Sequence, residues 1–343
     1  MSLTASFLQS AAFAAGTSYV LALILTPLAG LLARRTGAVA KAKSDRWHSR
    51  PTPMLGGIAF TIAVLAAVAI FVPLSRDYLI VIAGSAALFV TGLIDDFRHI
   101  KPYQKLVGQL LAAVLVVGFG LKLPWTPYAA VNIVITLFWL VGITNAVNML
   151  DNMDGLAAGV SAIAAIFLAL NFLDTQQPRA ALMLIALSGA LAGFLIYNRH
   201  PASIFMGDCG SMFIGFFLAA MALASRTGGG RSRSIIAVLA VPVLVLVVPI
   251  FDTTFVTVMR KLAGRAASQG GRDHTSHRLV ALGLSERHAV WMLYSFAAAA
   301  GVIAIVVRKA PLALSLGAIG LFTLVLALTG IRLARVRVYE DPA

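Results

Sequence analysis

An Asp-Asp pair at 95–96 with a lysine at 105, an Asn-x-x-Asp-x-x-Asp run at 148–154, and an aspartate between glycines at 208 are the residues here best suited to chemistry. Carboxylates in such groups move protons or hold a divalent cation through oxygen, and a lysine neutralises anionic oxygens. The chain has 13 acidic side chains in 343 residues, and eight of them (Asp45, Asp95, Asp96, Asp151, Asp154, Asp208, Asp252 and Asp273) read as members of five short loops between long apolar runs. Charge beside a bilayer is costly, so acids placed there mark function. The pattern points to a divalent-metal or phosphate-transfer site.

Each cluster has its own logic. Asp95 and Asp96 read as the end of a helix, where adjacent carboxylates repel and one is suited to accept a proton, or where both bind Mg²⁺. Asn148, Asp151 and Asp154 are spaced i, i+3 and i+6, which on a continuous helix places the two acids on one face. Gly207 and Gly210 flank Asp208 and leave room for a ligand, and Gly-Ser then opens a helix whose amides favour phosphate. Phe205, just ahead, either stacks a nucleobase or packs, and Cys209 reads as a small filler. The first loop carries His48 among bases, then Pro51-Thr52-Pro53 and Gly56-Gly57, a rigid turn with cations to meet an anion. The last loop carries Arg272, His274, His277 and Arg278. The histidine spacing suits zinc, but no cysteine accompanies it, and the flanking arginines fit pyrophosphate better.

These loops need elements to hold them. The chain is 60% hydrophobic and 12% charged, against roughly a quarter charged in soluble domains. That excludes a soluble enzyme and predicts an all-α, polytopic integral membrane bundle, one domain over 1–343. Eleven spans are expected, at about 8–32, 55–74, 78–94, 104–121, 128–147, 156–173, 180–197, 211–225, 235–259, 289–307 and 311–331. The active loops then fall at about 33–54, 95–105, 148–155, 198–211 and 260–288. With the N-terminus outside and the C-terminus in the cytoplasm, 19 of the 27 basic residues face inside, and so do all eight acids.

The net charge of +14 comes from bases flanking apolar runs, as expected for topology signals and anionic headgroups rather than nucleic acid. One cysteine excludes an intrachain disulfide, and no cleavable signal is expected. A cation-coupled transporter would spread its acids toward the midplane, and no internal repeat supports one. A polybasic scaffold has no use for Asp151, Asp154 and Asp208.

Taken in order, the motifs resemble the bacterial polyprenyl-phosphate N-acetylhexosamine-1-phosphate transferases, over roughly residues 20–290. The matching stretches are Pro51–Gly57, Asp95-Asp96 with Lys105, Asn145–Gly159, Phe205–Ser211 and His274–Leu279. The resemblance implies transfer of a sugar-1-phosphate from a UDP-N-acetylhexosamine to a polyprenyl phosphate at the cytoplasmic face of the inner membrane, with release of UMP. It implies Mg²⁺, with Mn²⁺ as substitute, on Asp208, with Asp154 as a second metal or pyrophosphate group. It implies Asp95 as the base toward the lipid phosphate, with Asp96, Asp151 and Lys105 in the same machinery. Asn148, Asn198, Phe205, His48, Arg272, His274, His277 and Arg278 are implied substrate contacts, and a homodimer stays open. Three positions depart from the family pattern: Asn152 where glycine is common, Trp47 where lysine is common, and Met54 where arginine is common. The last loop also lacks the histidine triplet of the phospho-MurNAc-pentapeptide transferases, which favours UDP-GlcNAc; those transferases are the alternative.

Overall fold

The structure, a computed structural model, describes residues 5–40, 51–123, 126–224, 235–267, 270–336 and 338. His48, Trp47 and Asp45 lie outside the described residues. The elements are α1 (Ala5–Thr36), β1 (Val39–Ala40), β2 (Thr52–Pro53), α2 (Gly56–Phe71), α3 (Arg76–Arg98), α4 (Pro102–Gly118), α5 (Ala129–Leu150), α6 (Leu156–Asp174), α7 (Pro178–Asn198), α8 (Gly207–Leu223), α9 (Ile235–Val245), α10 (Val247–Leu262), α11 (Thr275–Ala281), α12 (Glu286–Lys309) and α13 (Leu312–Ala334). Every apolar run predicted as a span is helical. Seven helices (α1, α3, α5, α6, α7, α12 and α13) are long and apolar enough to cross a membrane, and α2, α4 and α8 are shorter apolar helices. The outward faces carry Leu111, Phe138, Leu262 and Leu321, all exposed. A helical bundle with such a skin is an all-α, multi-pass membrane protein.

Helix α8 is the axis of the bundle. Every residue from Cys209 to Leu223 is buried, against α3, α5 and α2. Lipid offers no hydrophobic drive for helices to associate, so close backbone approach does that work. On α7, a Cβ added at Gly189 would stand 2.4 Å from the Ala15 carbonyl oxygen, and one at Gly193 would stand 2.4 Å from that of Tyr19. This Gly-x-x-x-Gly stripe seats α7 directly on α1. Gly92 likewise lets α3 meet the backbone of Asp208, 2.4 Å from the ideal Cβ position.

Three expectations are corrected. Asn148, Asp151 and Asp154 do not lie on one helix, because the chain breaks within the loop expected at 148–155. α5 ends at Leu150, residues 151–155 turn, and α6 starts after Gly155 at φ +75, a conformation that favours glycine and interrupts the helix. Asp151 and Asp154 therefore share a turn, not a helix face. The run 235–259 is two helices broken at Leu246. Pro249 has no N–H to bond the Val245 carbonyl, and its ring crowds that group, so α9 stops there. Asp252 is not in a loop. It is buried within α10, 1% exposed.

Candidate active site

The first motif builds a wall. Val39 pairs with Pro53 and Ala40 with Thr52 in a short antiparallel ribbon. The chain then docks on the Phe205–Ser211 motif: the Phe205 N–H donates to Pro53 O (2.8 Å), Gly56 N–H to Phe205 O (2.9 Å) and Gly57 N–H to Met206 O (2.8 Å). A Cβ on Gly57 would lie 2.4 Å from Gly210 N. Gly57 and Gly210 thus serve helix contact, not the ligand approach expected of Gly210.

The adjacent aspartates have separate tasks. Asp96 accepts the backbone N–H of Asp208 (2.7 Å) and of Cys209 (3.0 Å), so its carboxylate caps α8. An anion does sit at this helix N-terminus, but it is the protein's own, and these first amides are not open to phosphate as expected. Gly207, at φ +72, admits the arrangement, because a Cβ there would meet Met54 O at 2.3 Å and Asp96 Oδ2 at 2.7 Å. Asp95 pairs with Lys105, whose Nζ lies 2.8 Å from Asp95 Oδ2 and 2.8 Å from Asp208 Oδ2. Asn148 donates to the other Asp208 oxygen (2.5 Å) and to Ser211 Oγ (2.8 Å). Four helices, α3, α4, α5 and α8, thereby meet at one carboxylate.

This cluster opens on a cavity of about 1190 Å³. Asp95, Asp96, Asn148, Asp151, Asp154, Asn198, Phe205, Asp208 and His277 all line it. Asn198 donates to Ile204 O (2.9 Å), while its buried Oδ1 has no hydrogen-bond partner among the described residues. Asp154 accepts from Ala202 N–H (2.9 Å) and lies 3.2 Å from His200 Nδ1, which is also 3.0 Å from Glu286.

Not every expected residue reaches the cavity. His274 is buried with Nδ1 2.7 Å from Asp252. Arg272 is exposed and does not line the cavity. Arg278 is fully buried; it donates to Asp273 O (3.0 Å), Leu333 O (3.1 Å) and Val336 O (2.8 Å), and its guanidinium lies over the Phe255 ring. Its contacts tie α11 to α13, so it does not fork a pyrophosphate as expected. His277 stays at the wall, with Nε2 3.3 Å from Asn152 O, and burial, helped by nearby His274, pushes its imidazole down to about 4.

Glu286, Arg34 and His200 also line the cavity, and sequence reasoning left them out of the site. Glu286 lies in the first turn of α12, outside every motif that the sequence singled out. Asn152 turns out to be a connector: its Oδ1 accepts from Ser276 Oγ (2.6 Å), a bond a glycine cannot make.

The donor set fits a hard cation. Asp208 and Asp95 offer carboxylate oxygen beside the amide of Asn148, the ligand type Mg²⁺ takes, and Asp154 lines the same cavity from its own cluster with His200 and Glu286. Asp154, His200 and Glu286 bring one ligand atom each within 4.8 Å of one another. Their imidazole nitrogen suits a transition ion better than Mg²⁺.

The sequence of 78–226 matches the family described as Glycosyl transferase family 4. The chain is 34% identical over 314 residues to a protein of Bacillus subtilis (strain 168) named "Probable undecaprenyl-phosphate N-acetylglucosaminyl 1-phosphate transferase", covering 87% of this chain and 85% of that one. This chain belongs to that family. A decaprenyl-phosphate N-acetylglucosaminephosphotransferase of Mycobacterium leprae (strain TN) is 34% identical over 81% of this chain and 79% of its own length. A phospho-N-acetylmuramoyl-pentapeptide-transferase of Desulforamulus reducens is also 34% identical, over 62% of this chain and 73% of its own. Of these three relatives, the two N-acetylglucosamine-type ones align along more of this chain. The region 78–226 holds the Asp95–Lys105–Asp208–Asn148 cluster whole.

Proposed function

We propose that this family 4 protein transfers an N-acetylhexosamine-1-phosphate, GlcNAc-1-phosphate first, from a UDP-sugar to a polyprenyl phosphate and releases UMP. The protein crosses the inner membrane eleven times with its N-terminus outside, and the site opens to the cytoplasm. The observation that carries this reading is that the two cavity-lining carboxylates Asp95 and Asp208 are bridged by the Lys105 ammonium. Phosphoryl transfer asks mainly for positioning and charge neutralisation, and those groups provide both.

In this reading a phosphate oxygen of the lipid attacks the β-phosphorus, the bond to the bridging oxygen breaks, and UMP leaves with it. Asp95 takes the proton of a lipid monophosphate, and Lys105, held by Asp95 and Asp208, covers anionic phosphate oxygens. Asp208 and Asp154 would hold Mg²⁺ or Mn²⁺, which when bound neutralises pyrophosphate and leaving-group charge. Phe205 stacks the base, and the open Asn198 Oδ1 takes a ligand N–H. His277, neutral at working pH with its one N–H turned to the Asn152 carbonyl, stands at the cavity wall beside the sugar and pyrophosphate.

The test is purified protein with Mg²⁺, polyprenyl phosphate and either UDP-GlcNAc or UDP-MurNAc-pentapeptide, with UMP counted. Transfer from UDP-GlcNAc alone is expected. Transfer from the pentapeptide substrate alone would move the chain to the phospho-MurNAc-pentapeptide branch, and no transfer from any UDP-sugar would end the reading.

A further inference from the structure

The Asp252 carboxylate sits inside an otherwise apolar helical turn, Val-Val-Pro-Ile-Phe-Asp, 1% exposed and outside the cavity lining. A buried carboxylate is expensive unless its lone pairs are filled. Here they are filled by the segment that opens α11. His274 Nδ1 lies 2.7 Å from Oδ2, and both the N–H (2.8 Å) and the hydroxyl (2.6 Å) of Thr275 donate to Oδ1. With three donors converging, the carboxylate is the acceptor throughout, so His274 carries its proton on Nδ1 and the ring is fixed in one tautomer.

A second contact from the same helix acts one residue earlier. Arg260 grips Asp273 with two bonds of 2.7 Å and also donates to Ala267 O (2.8 Å). Two points of attachment on α10 thus fix where α11 begins. One turn later α11 delivers Ser276 to Asn152 (2.6 Å) and His277 to the cavity wall, edge-on to the His274 ring at 5.6 Å. The seven-residue α11 is too short to hold a position by itself.

We infer that Asp252 is a positioning residue for the transfer reaction: it locks His274 and the first turn of α11, and through them sets His277 against the cavity. The inference rests on the function proposed above, so its test has one arm that does not need turnover. Asp252→Asn keeps the shape but offers His274 Nδ1 an amide in place of a carboxylate. The turnover rate per folded molecule should fall at least tenfold, with little change in KM for the lipid, and Asp252→Glu should recover part of the rate. The double variant Asp252→Asn/His274→Asn should be no slower than the worse single variant. In the second arm, cysteines at Asn152 and Ser276 are cross-linked by oxidation. The yield should drop at least twofold when Asp252→Asn is added, whether or not the protein turns over.

Unchanged turnover and cross-linking in Asp252→Asn overturn the inference. So do additive losses in the double variant, or a variant that fails to fold while Thr275→Val, which removes one of the three bonds, folds with full activity. Wild-type protein inactive with every UDP-sugar, but with the cross-link lost in Asp252→Asn, keeps the positioning role of Asp252 and fails only the proposed function.

Discussion

Asp96→Asn and Asp95→Asn are neighbouring, isosteric changes, and the geometry requires opposite outcomes from them. Asp96 accepts two backbone N–H groups at the start of α8, at 2.7 and 3.0 Å. Hydrogen bonds to a charged group are worth roughly 1.5–3 kcal/mol each, and a carboxylate at a helix N-terminus adds a few tenths to about 1 kcal/mol. Asparagine keeps one acceptor and turns an NH₂ toward the second N–H, so a loss of roughly 2–4 kcal/mol follows. Because α8 is buried along its length, its first turn cannot relax into solvent. A drop in Tm of roughly 3–8 °C is expected in detergent, with activity falling as Asp208 shifts. Asp95→Asn removes one partner of Lys105 and leaves the other, Asp208, at 2.8 Å. The asparagine oxygen still accepts from Lys105 and the change removes repulsion between two neighbouring carboxylates, so its stability loss should be smaller than that of Asp96→Asn, while turnover collapses. A thermal-shift series beside a UMP-release assay reads both. Equal Tm losses in the two variants, or a larger one in Asp95→Asn, would refute the division of labour.

Asp208→Asn should abolish turnover in a folded, membrane-inserted protein, and a near-normal rate would remove Asp208 from the reaction. Gly57→Ala should cost several kcal/mol, since its Cβ meets Gly210 backbone at 2.4 Å and 2.5 Å, atoms that cannot swing away; an unchanged Tm would contradict the packing. His277 sits at about 4 in the fold against 6.5 free, so the unfolded chain alone takes up this proton as pH falls below 6.5. Stability is therefore full above 6.5 and declines by up to ~3 kcal/mol toward pH 4, and His277→Gln should flatten that decline in acid-dependent melting. A membrane-impermeant maleimide on intact cells should label Gln176→Cys, and Leu282→Cys only after permeabilisation; the reverse would invert the topology. The native Cys209 is buried and adds little background.

The helices were legible because a bilayer imposes length and apolarity on each, and the acidic clusters were legible because charge there is costly enough to need a task, whether structural, as for Asp96 and Asp252, or at the cavity. What escaped has physical causes. The loop at 148–155 was legible, but the spacing of Asn148, Asp151 and Asp154 suggested a shared helix face, although Gly155 after Asp154 was the available signal against it. Pro242 and Pro249 similarly announced the break at Leu246. Asp252 and Arg278 could not be assigned from sequence, because nothing in a linear pattern says whether a charged side chain faces a cavity or the next helix. Glu286 lay beyond the last motif, brought to the cavity by a fold in the chain after α11.

The seating of α7 on α1 has a consequence for how the protein is made. Thr36 ends α1 and Pro178 begins α7, so about 140 residues must be translated between them, roughly 7–30 s at ribosomal speeds. During that interval Ala15, Ser18 and Tyr19 on α1 face lipid or a chaperone rather than the glycines they will meet. Helix α1 is thus completed late, and a larger side chain at Gly189 or Gly193 would reveal itself first as a nascent chain that fails quality control, before any enzyme is assayed.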